Sequence, residues 1–273
     1  MDEEIGRFVE EDLGAGDITT NATVPEDHFS LAEIFAKEDG VLAGQLFAKK
    51  VFQTLDKDIR YEEIKADGKP VKKGDVITRI RGRTRAILSG ERVALNLLQR
   101  LSGIATTTRR FVDATGNTGV KILDTRKTSP GLRVMEKYAV RMGGGHNHRL
   151  NLGEMALIKE NHIAAAGSLK EAVKRVRAAG SVFIEVEVKN MNELKDALDK
   201  GVDRIMLDNW GVKDIAQAVS LVQKRIPIEV SGNMTLERTQ QISLMGIDFI
   251  SVGAITHSFK SLDLSLLIKE GNT

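Results

Sequence analysis

From residue 120 onward, short apolar runs that end in polar residues alternate with segments of helical period. The runs are "VKILDTRK", "ALIKEN", "FIEVEV", "DRIMLDN", "IEVSG" and "DFISVGA". Between them, Leu169, Val173 and Val176 form one stripe behind a Ser168–Glu171 capping box. Leu194, Ala197 and Leu198 form a second stripe, and Val212, Ile215, Val219 and Val222 a third. Strands and helices in this order, with short links, predict parallel strands joined by crossovers. Six such units suit a closed or nearly closed α/β barrel better than an open sheet. In a barrel the C-terminal ends of all strands open on one face, where the chemistry sits. The spacing therefore predicts convergence of Asp124, Arg126, Lys127, Lys159, Glu185, Glu187, Asp208, Asn209, Ser231, Gly232 and Gly253, with His257 nearby.

The first hundred residues have a different rhythm. Ile5, Phe8 and Val9 have helical spacing, and residues 31–36 and 41–42 read as short extended pieces. "ADGKPVKKGDVITRIRG" (66–82) has the Gly and Pro punctuation of a hairpin. It is also similar to the hairpins of biotinyl and lipoyl carrier domains, which would make Lys72 or Lys73 a modification site; a solvated, Lys-rich edge is the plainer reading. A helix is predicted from Glu91 to about Val112, with Val93, Leu97, Leu101 and Ile104 on one face and an interruption at Gly103.

Composition closes several routes. The 273 residues exceed a minimal domain and allow one large domain or two ordinary ones. The absence of cysteine excludes disulfides, thiolate nucleophiles and Cys-ligated zinc. A net charge of +2 makes no case for nucleic acid. No apolar run approaches a membrane span, and the acidic N-terminus lacks the order of a signal peptide, so a cytoplasmic protein is expected.

The converging groups sort by sign along the chain. Early strands bring cations: Arg126, Lys127 and Lys159, joined by His146, His148 and Arg149 of the glycine-rich "GGGHNHRLNLG". Arg grips carboxylates through a fork of donors and Lys meets phosphate as a point charge, so this group selects a multiply anionic ligand. Lys137 and Arg141, on the following helix, read instead as partners of surface acids. His146 and His148 have the spacing of a metal pair, but no third His or Cys ligand accompanies them. The middle strands bring Glu187 and Asp208, with Glu185 on the same face as Glu187. Hard oxygen ligands for Mg²⁺ shared with substrate phosphates, general acid–base work, and salt bridging across the barrel mouth all remain open for these carboxylates. The late strands end in "SGN" (231–233) and "VGA" (252–254), short loops able to bind phosphate through backbone N–H groups.

The motifs "ERVALNLLQRLSGIAT", "DTRKTSPGLR", "KYAVRMGGGHNHRLNLG", "ALIKENH", "EVEV", "LDN", "SGN" and "SVGAITHS" together resemble the quinolinate phosphoribosyltransferase family, in order and over nearly the whole chain. The resemblance implies an α/β protein with an N-terminal α/β sandwich domain (1–105) and an incomplete, about seven-stranded α/β barrel (106–273) whose last helix returns to the first domain. It implies a homo-oligomer, at least a dimer, in which Arg92 reaches the neighbouring site. It assigns Arg126, Lys127, His148, Arg149 and Lys159 to quinolinate, and Lys127, Lys159 and His257 also to the phosphates. Glu187 and Asp208 fall to the ribose and Mg²⁺, the metal being held largely through substrate phosphates and water. Ser231, Gly232, Asn233, Gly253 and Ala254 fall to the 5′-phosphate. Lys127, Glu187 and Asp208 are the expected catalytic residues, and no nucleic acid or membrane partner is implied. The implied reaction moves phosphoribosyl from 5-phosphoribosyl-1-pyrophosphate to quinolinate with loss of CO₂, in the de novo synthesis of NAD. Two rivals stand beside it: a transferase for nicotinate or another aromatic acid, and a Schiff-base aldolase using Lys159.

Overall fold

The computed structural model describes residues 1–180 and 182–269. The chain divides into two compact units. The first comprises residues 1–109, 130–144 and 259 onward; the second comprises 110–129 and 145–258.

The first unit is built on a four-stranded antiparallel sheet in the order β12-β1-β5-β3. These strands are β1 (Phe29–Ala36), β3 (Arg60–Glu63), β5 (Val76–Arg83) and β12 (Leu264–Lys269). Strand β1 alternates as a half-buried strand should, with Ala32, Ile34 and Ala36 in the core. The unit's helices are α1 (Asp2–Leu13), α2 (Ile18–Thr23), α3 (Gln45–Leu55), most of α4 (Thr84–Ala114) and α5 (Arg133–Met142). The last described element is the strand β12, not a helix as expected, and the expected boundary at residue 105 lies inside α4.

Three local expectations are corrected. The stretch 66–82 is not a closed hairpin. Its first strand, β4 (Pro70–Val71), pairs with β2 (Gly40–Val41), whereas β5 pairs with β1 and β3. Gly68 and Gly74, at φ 80° and 93°, turn the chain away from and back to the main sheet. Lys137 is no surface residue: it is 3% exposed on α5.

The third correction concerns Gly103, which does not interrupt α4. A Cβ there would lie 2.3 Å from the Lys260 carbonyl oxygen and 2.8 Å from Ser261 Cα, so the glycine permits close approach of two backbones. Ala is worth about 1 kcal/mol more than Gly in a helix interior. Two backbones that cannot yield should outweigh that gain. Gly103→Ala is expected to destabilise the protein by about 2 kcal/mol, read as a lowered midpoint in urea.

The second unit carries six parallel strands in the order β6-β11-β10-β9-β8-β7. They are β6 (Lys121–Leu123), β7 (Ala156–Ile158), β8 (Ile184–Val188), β9 (Arg204–Asp208), β10 (Ile228–Ser231) and β11 (Phe249–Ser251). The crossover helices include α6 (Glu160–Ala166), α7 (Leu169–Ala179), α8 (Met191–Asp199), α9 (Val212–Val222) and α10 (Leu236–Ser243), and α11 (Ala254–His257) follows β11. Each of the stripes read from the sequence buries its core residues, among them Val173, Leu194 and Ile215. Ser168, Asn190 and Thr235 cap the N-termini of α7, α8 and α10 through their side chains. The expected incomplete barrel is present, with six strands among the described residues in place of about seven. Beyond β6, a single parallel bridge between Leu123 and His146 takes the next place, because the glycine-rich segment offers one residue of ladder and no more.

Candidate active site

A cavity of about 810 Å³ opens at the C-terminal ends of the parallel strands of the second unit. Its wall on the β6–β7 side holds Arg126, Lys127, His148, Arg149 and Lys159. Glu187 and Asp208 face it from the ends of β8 and β9. Ser231, Gly232, Asn233, Gly253, Ala254 and His257 complete the lining from the last two strands. Of the site residues expected from the sequence, all but Arg92 line this cavity; Arg92 is an exposed residue of α4, in the first unit.

Two members of the convergent set lie deeper. Asp124 is fully buried and holds the glycine-rich segment in place: its carboxylate accepts from Asn147 Nδ2 at 2.6 Å and from the His148 backbone N–H at 2.9 Å. Glu185 is also fully buried. Inward residues two apart on a barrel strand fall in successive layers, so Glu187 reaches the mouth while Glu185 sits below it.

The basic wall has unfilled capacity. Arg126 Nε is buried and has no hydrogen-bond partner among the described residues. A buried guanidinium N–H without an acceptor is costly, and an anionic ligand supplies what is missing. Arg149 is anchored by donation from Nη1 to the Met155 carbonyl at 3.1 Å. Burial and then the neighbouring Arg126 cation hold its guanidinium below the usual arginine range, as expected where positive charge is crowded for an anion. Lys159 makes an ion pair with Glu187. Thr256 Oγ1 donates to the Lys127 carbonyl at 2.9 Å, which ties that loop to α11.

His148 connects the cavity to a buried charge cluster. Its Nδ1 accepts from the Arg149 backbone N–H at 2.8 Å, and its Nε2 lies 2.9 Å from Glu185 Oε2. With Nδ1 an acceptor, the proton resides on Nε2 and is donated to Glu185. Behind them, Arg204 Nη1 donates to Glu229 Oε2 at 2.9 Å, and Ser251 Oγ donates to the other oxygen of Glu229. His148, Glu185 and Glu229 present ligand atoms within 4.8 Å of one another, but Arg204 already supplies the positive charge there. His148 thus makes hydrogen bonds through both ring nitrogens.

Burial, followed by the Glu185 carboxylate, pushes the Glu229 carboxyl up to about 7. Its folded value exceeds its unfolded one, so folding binds a proton in this window and stability falls as pH rises from about 4.5 through about 7. Glu229→Gln removes the titration and keeps an acceptor for Arg204. Its unfolding free energy, from urea titration, should decline less than the wild type's between pH 5 and pH 8, by about 3 kcal/mol at most.

Several lining residues escaped sequence reading. Leu157 and Met206 form an apolar part of the wall, each two positions before a predicted site residue, Lys159 and Asp208. The period of two was the signal for them. Glu229 stands in the same relation to Ser231, an acid inside an apolar run, which marks a buried charge needing partners.

Fold and cavity define an α/β-barrel enzyme whose site is shaped for a multiply anionic substrate. Comparison with known proteins makes this specific. Residues 17–102 match the model of the quinolinate phosphoribosyl transferase N-terminal domain, and residues 104–267 that of its C-terminal domain. A probable nicotinate-nucleotide pyrophosphorylase [carboxylating] of Bacillus subtilis is 45% identical, covering 98% of this chain and 93% of its own. The chloroplastic nicotinate-nucleotide pyrophosphorylase [carboxylating] of Arabidopsis thaliana is 42% identical, covering 94% of this chain and 80% of its own. The crystal structure of NadC from Streptococcus pyogenes superposes with a TM-score of 0.94 at 42% identity, covering 98% of this chain and 97% of that one. The chain belongs to the quinolinate phosphoribosyl transferase family, and both the expected fold and the expected enzyme class, a pentosyltransferase, are borne out.

Proposed function

We propose that this enzyme transfers the phosphoribosyl group of 5-phosphoribosyl-1-pyrophosphate to quinolinate, releasing CO₂ and pyrophosphate and leaving nicotinate mononucleotide, a step of de novo NAD synthesis. The observation that carries the reading is the cavity itself: a basic wall with an unpartnered buried Arg126 N–H, two carboxylates facing it, and two glycine loops closing the last strands.

Arg126 and Arg149 hold the two carboxylates of quinolinate and aim its ring nitrogen at C1 of the sugar, while His148, whose ring nitrogens are taken by the Arg149 N–H and Glu185, fixes the backbone at Arg149. Leu157 and Met206 give the ring an apolar surface. Lys127, Lys159 and His257 meet the pyrophosphate and stabilise the charge that grows on it as the C1–O bond breaks. Glu187 and Asp208 face the ribose, whose C1 gains positive character in the transition state. The loops at 231–233 and 253–254 receive the 5′-phosphate. After transfer the ring nitrogen is quaternary. The electron pair of the C–CO₂ bond stays on the adjacent ring carbon, stabilised by that cation, and a proton then replaces CO₂. Positioning and charge placement supply most of the rate.

The donor set suits Mg²⁺: two hard carboxylates beside a place for phosphates, with Lys159 sharing Glu187. When bound, the ion neutralises the leaving pyrophosphate; Glu187 and Asp208 are the residues that would hold it, with phosphate and water completing the shell. Arg92 belongs to the same reading, in a dimer where it enters the neighbouring copy's cavity. Among the described residues no helix is long and apolar enough to cross a membrane, in keeping with a cytoplasmic enzyme.

The pure protein, incubated with quinolinate, 5-phosphoribosyl-1-pyrophosphate and Mg²⁺, is expected to release CO₂ and form nicotinate mononucleotide. Folded protein that forms neither would overturn the reading. Lys159 as an aldolase nucleophile finds no support, because the chain belongs to this transferase family.

A further inference from the structure

We infer that Asn209 is a positioning residue that joins the carboxylate of Asp208 to the loop Ser231–Asn233, setting two parts of the phosphoribosyl subsite in fixed relation. This rests on the proposed reaction for the identity of the substrate.

Asn209 follows the last residue of β9, and its backbone is left-handed, φ 60°. That conformation is uncommon for a residue with a side chain, and Asn tolerates it best. Its groups turn in three directions. The backbone N–H donates to the Ser231 carbonyl at 2.9 Å, extending the β9–β10 ladder one step past Asp208 and Ser231. Side-chain Nδ2 donates to Asp208 Oδ2 at 2.8 Å. Side-chain Oδ1 accepts from Asn233 Nδ2 at 3.3 Å. One short side chain therefore touches the acidic residue on one strand and the glycine loop on the next.

The surrounding backbone is shaped to it. Gly232 and Asn233 are also left-handed, at φ 99° and 47°. A Cβ on Gly232 would sit 2.1 Å from Asn209 Oδ1, so the glycine exists where Asn209 needs room. The far side is held by Trp210: its indole N–H donates to the Val188 carbonyl at 2.9 Å, and its own carbonyl accepts from Arg238 Nη2 at 2.7 Å. Left-handed residues persist only where neighbours over-determine them, and they cluster at binding sites. Here the over-determination spans the ends of β8, β9 and β10. It leaves Asp208, which lines the cavity, with one oxygen fixed by Asn209. The exposed position of Asn209 makes a purely structural role weak, since a solvated amide contributes little to stability.

The test uses Asn209→Gly, which keeps the left-handed backbone without strain and removes both side-chain hydrogen bonds, and Asn209→Asp, which sets a second carboxylate beside Asp208. Steady-state constants for each substrate, the thermal midpoint, and calorimetric binding of 5-phosphoribosyl-1-pyrophosphate without quinolinate are the readouts. Asn209→Gly should raise the KM for 5-phosphoribosyl-1-pyrophosphate and its calorimetric Kd about ten-fold, leave the quinolinate KM within two-fold, and leave the midpoint unchanged; Asn209→Asp should be worse. Unchanged binding in Asn209→Gly would overturn the inference. So would a rise in both KM values that tracks a loss of stability. Should the wild type fail to consume quinolinate, the proposed reaction falls, while the calorimetric comparison still decides the role of Asn209.

Discussion

Arg126→Ala is expected to raise the KM for quinolinate about 100-fold while leaving the KM for 5-phosphoribosyl-1-pyrophosphate nearly unchanged. The guanidinium is partly buried in the cavity, and its Nε lacks any acceptor among the described residues. A hydrogen bond to a charged group contributes about 1.5–3 kcal/mol, and each 1.4 kcal/mol is a factor of about ten in affinity. Two such bonds to one carboxylate, discounted for the water that enters when the side chain is cut away, give that estimate. Arg126→Lys should recover only part of it, because an ammonium keeps the charge and loses the fork. If Arg126 grips the substrate equally in ground and transition states, kcat stays near its wild-type value and the effect lies in KM. Steady-state kinetics with quinolinate and with nicotinate settle the assignment. An unchanged quinolinate constant would mean that Arg126 faces no carboxylate, and would favour a monocarboxylate acceptor.

Gly232→Ala is expected to lower kcat/KM for 5-phosphoribosyl-1-pyrophosphate by about 100-fold or more, since a displacement of 1 Å at a positioning group costs about that much. Two effects act together. Gly232 has φ 99°, which an L side chain rarely adopts. Its added Cβ would lie 2.1 Å from Asn209 Oδ1 and 2.8 Å from the Asn209 backbone N, and the second of these cannot swing aside. The loop must move, and with it the N–H groups expected to receive the 5′-phosphate. Gly253→Ala is the matched control. There φ is an ordinary −66°, and the nearest atoms, His257 Nε2 at 3.1 Å and Lys127 Cδ at 3.2 Å, belong to side chains that can give by tenths of an ångström. Its loss should be several-fold only. Equal losses in the two variants would show that the loop at 231–233 has no special relation to the substrate.

Local pattern accounts for much of this protein. The parallel strand–helix alternation after residue 120, the cap at Ser168, and the strand ends carrying Lys127, Lys159, Glu187, Asp208 and Gly232 were legible, because parallel crossover topology leaves all strand ends on one face. So was the family, through motifs spread over nearly the whole chain. What sequence-local reading misjudged were contacts between residues far apart in sequence. Gly103 reads as a helix break until the backbone at Lys260 is seen pressed against it. The segment 66–82 reads as a hairpin until β4 is found paired with β2. Period two puts Glu185 and Glu187 on one face but does not say that only one reaches the mouth, since depth in a barrel is set by the stagger of neighbouring strands. The sequence by itself determined which residues stand at strand ends and what charge each brings. Only the tertiary structure decided which of them line the cavity and which, like Asp124 and Glu185, are turned inward to hold the others, because a buried charge is tolerable only beside partners that the fold brings from distant strands.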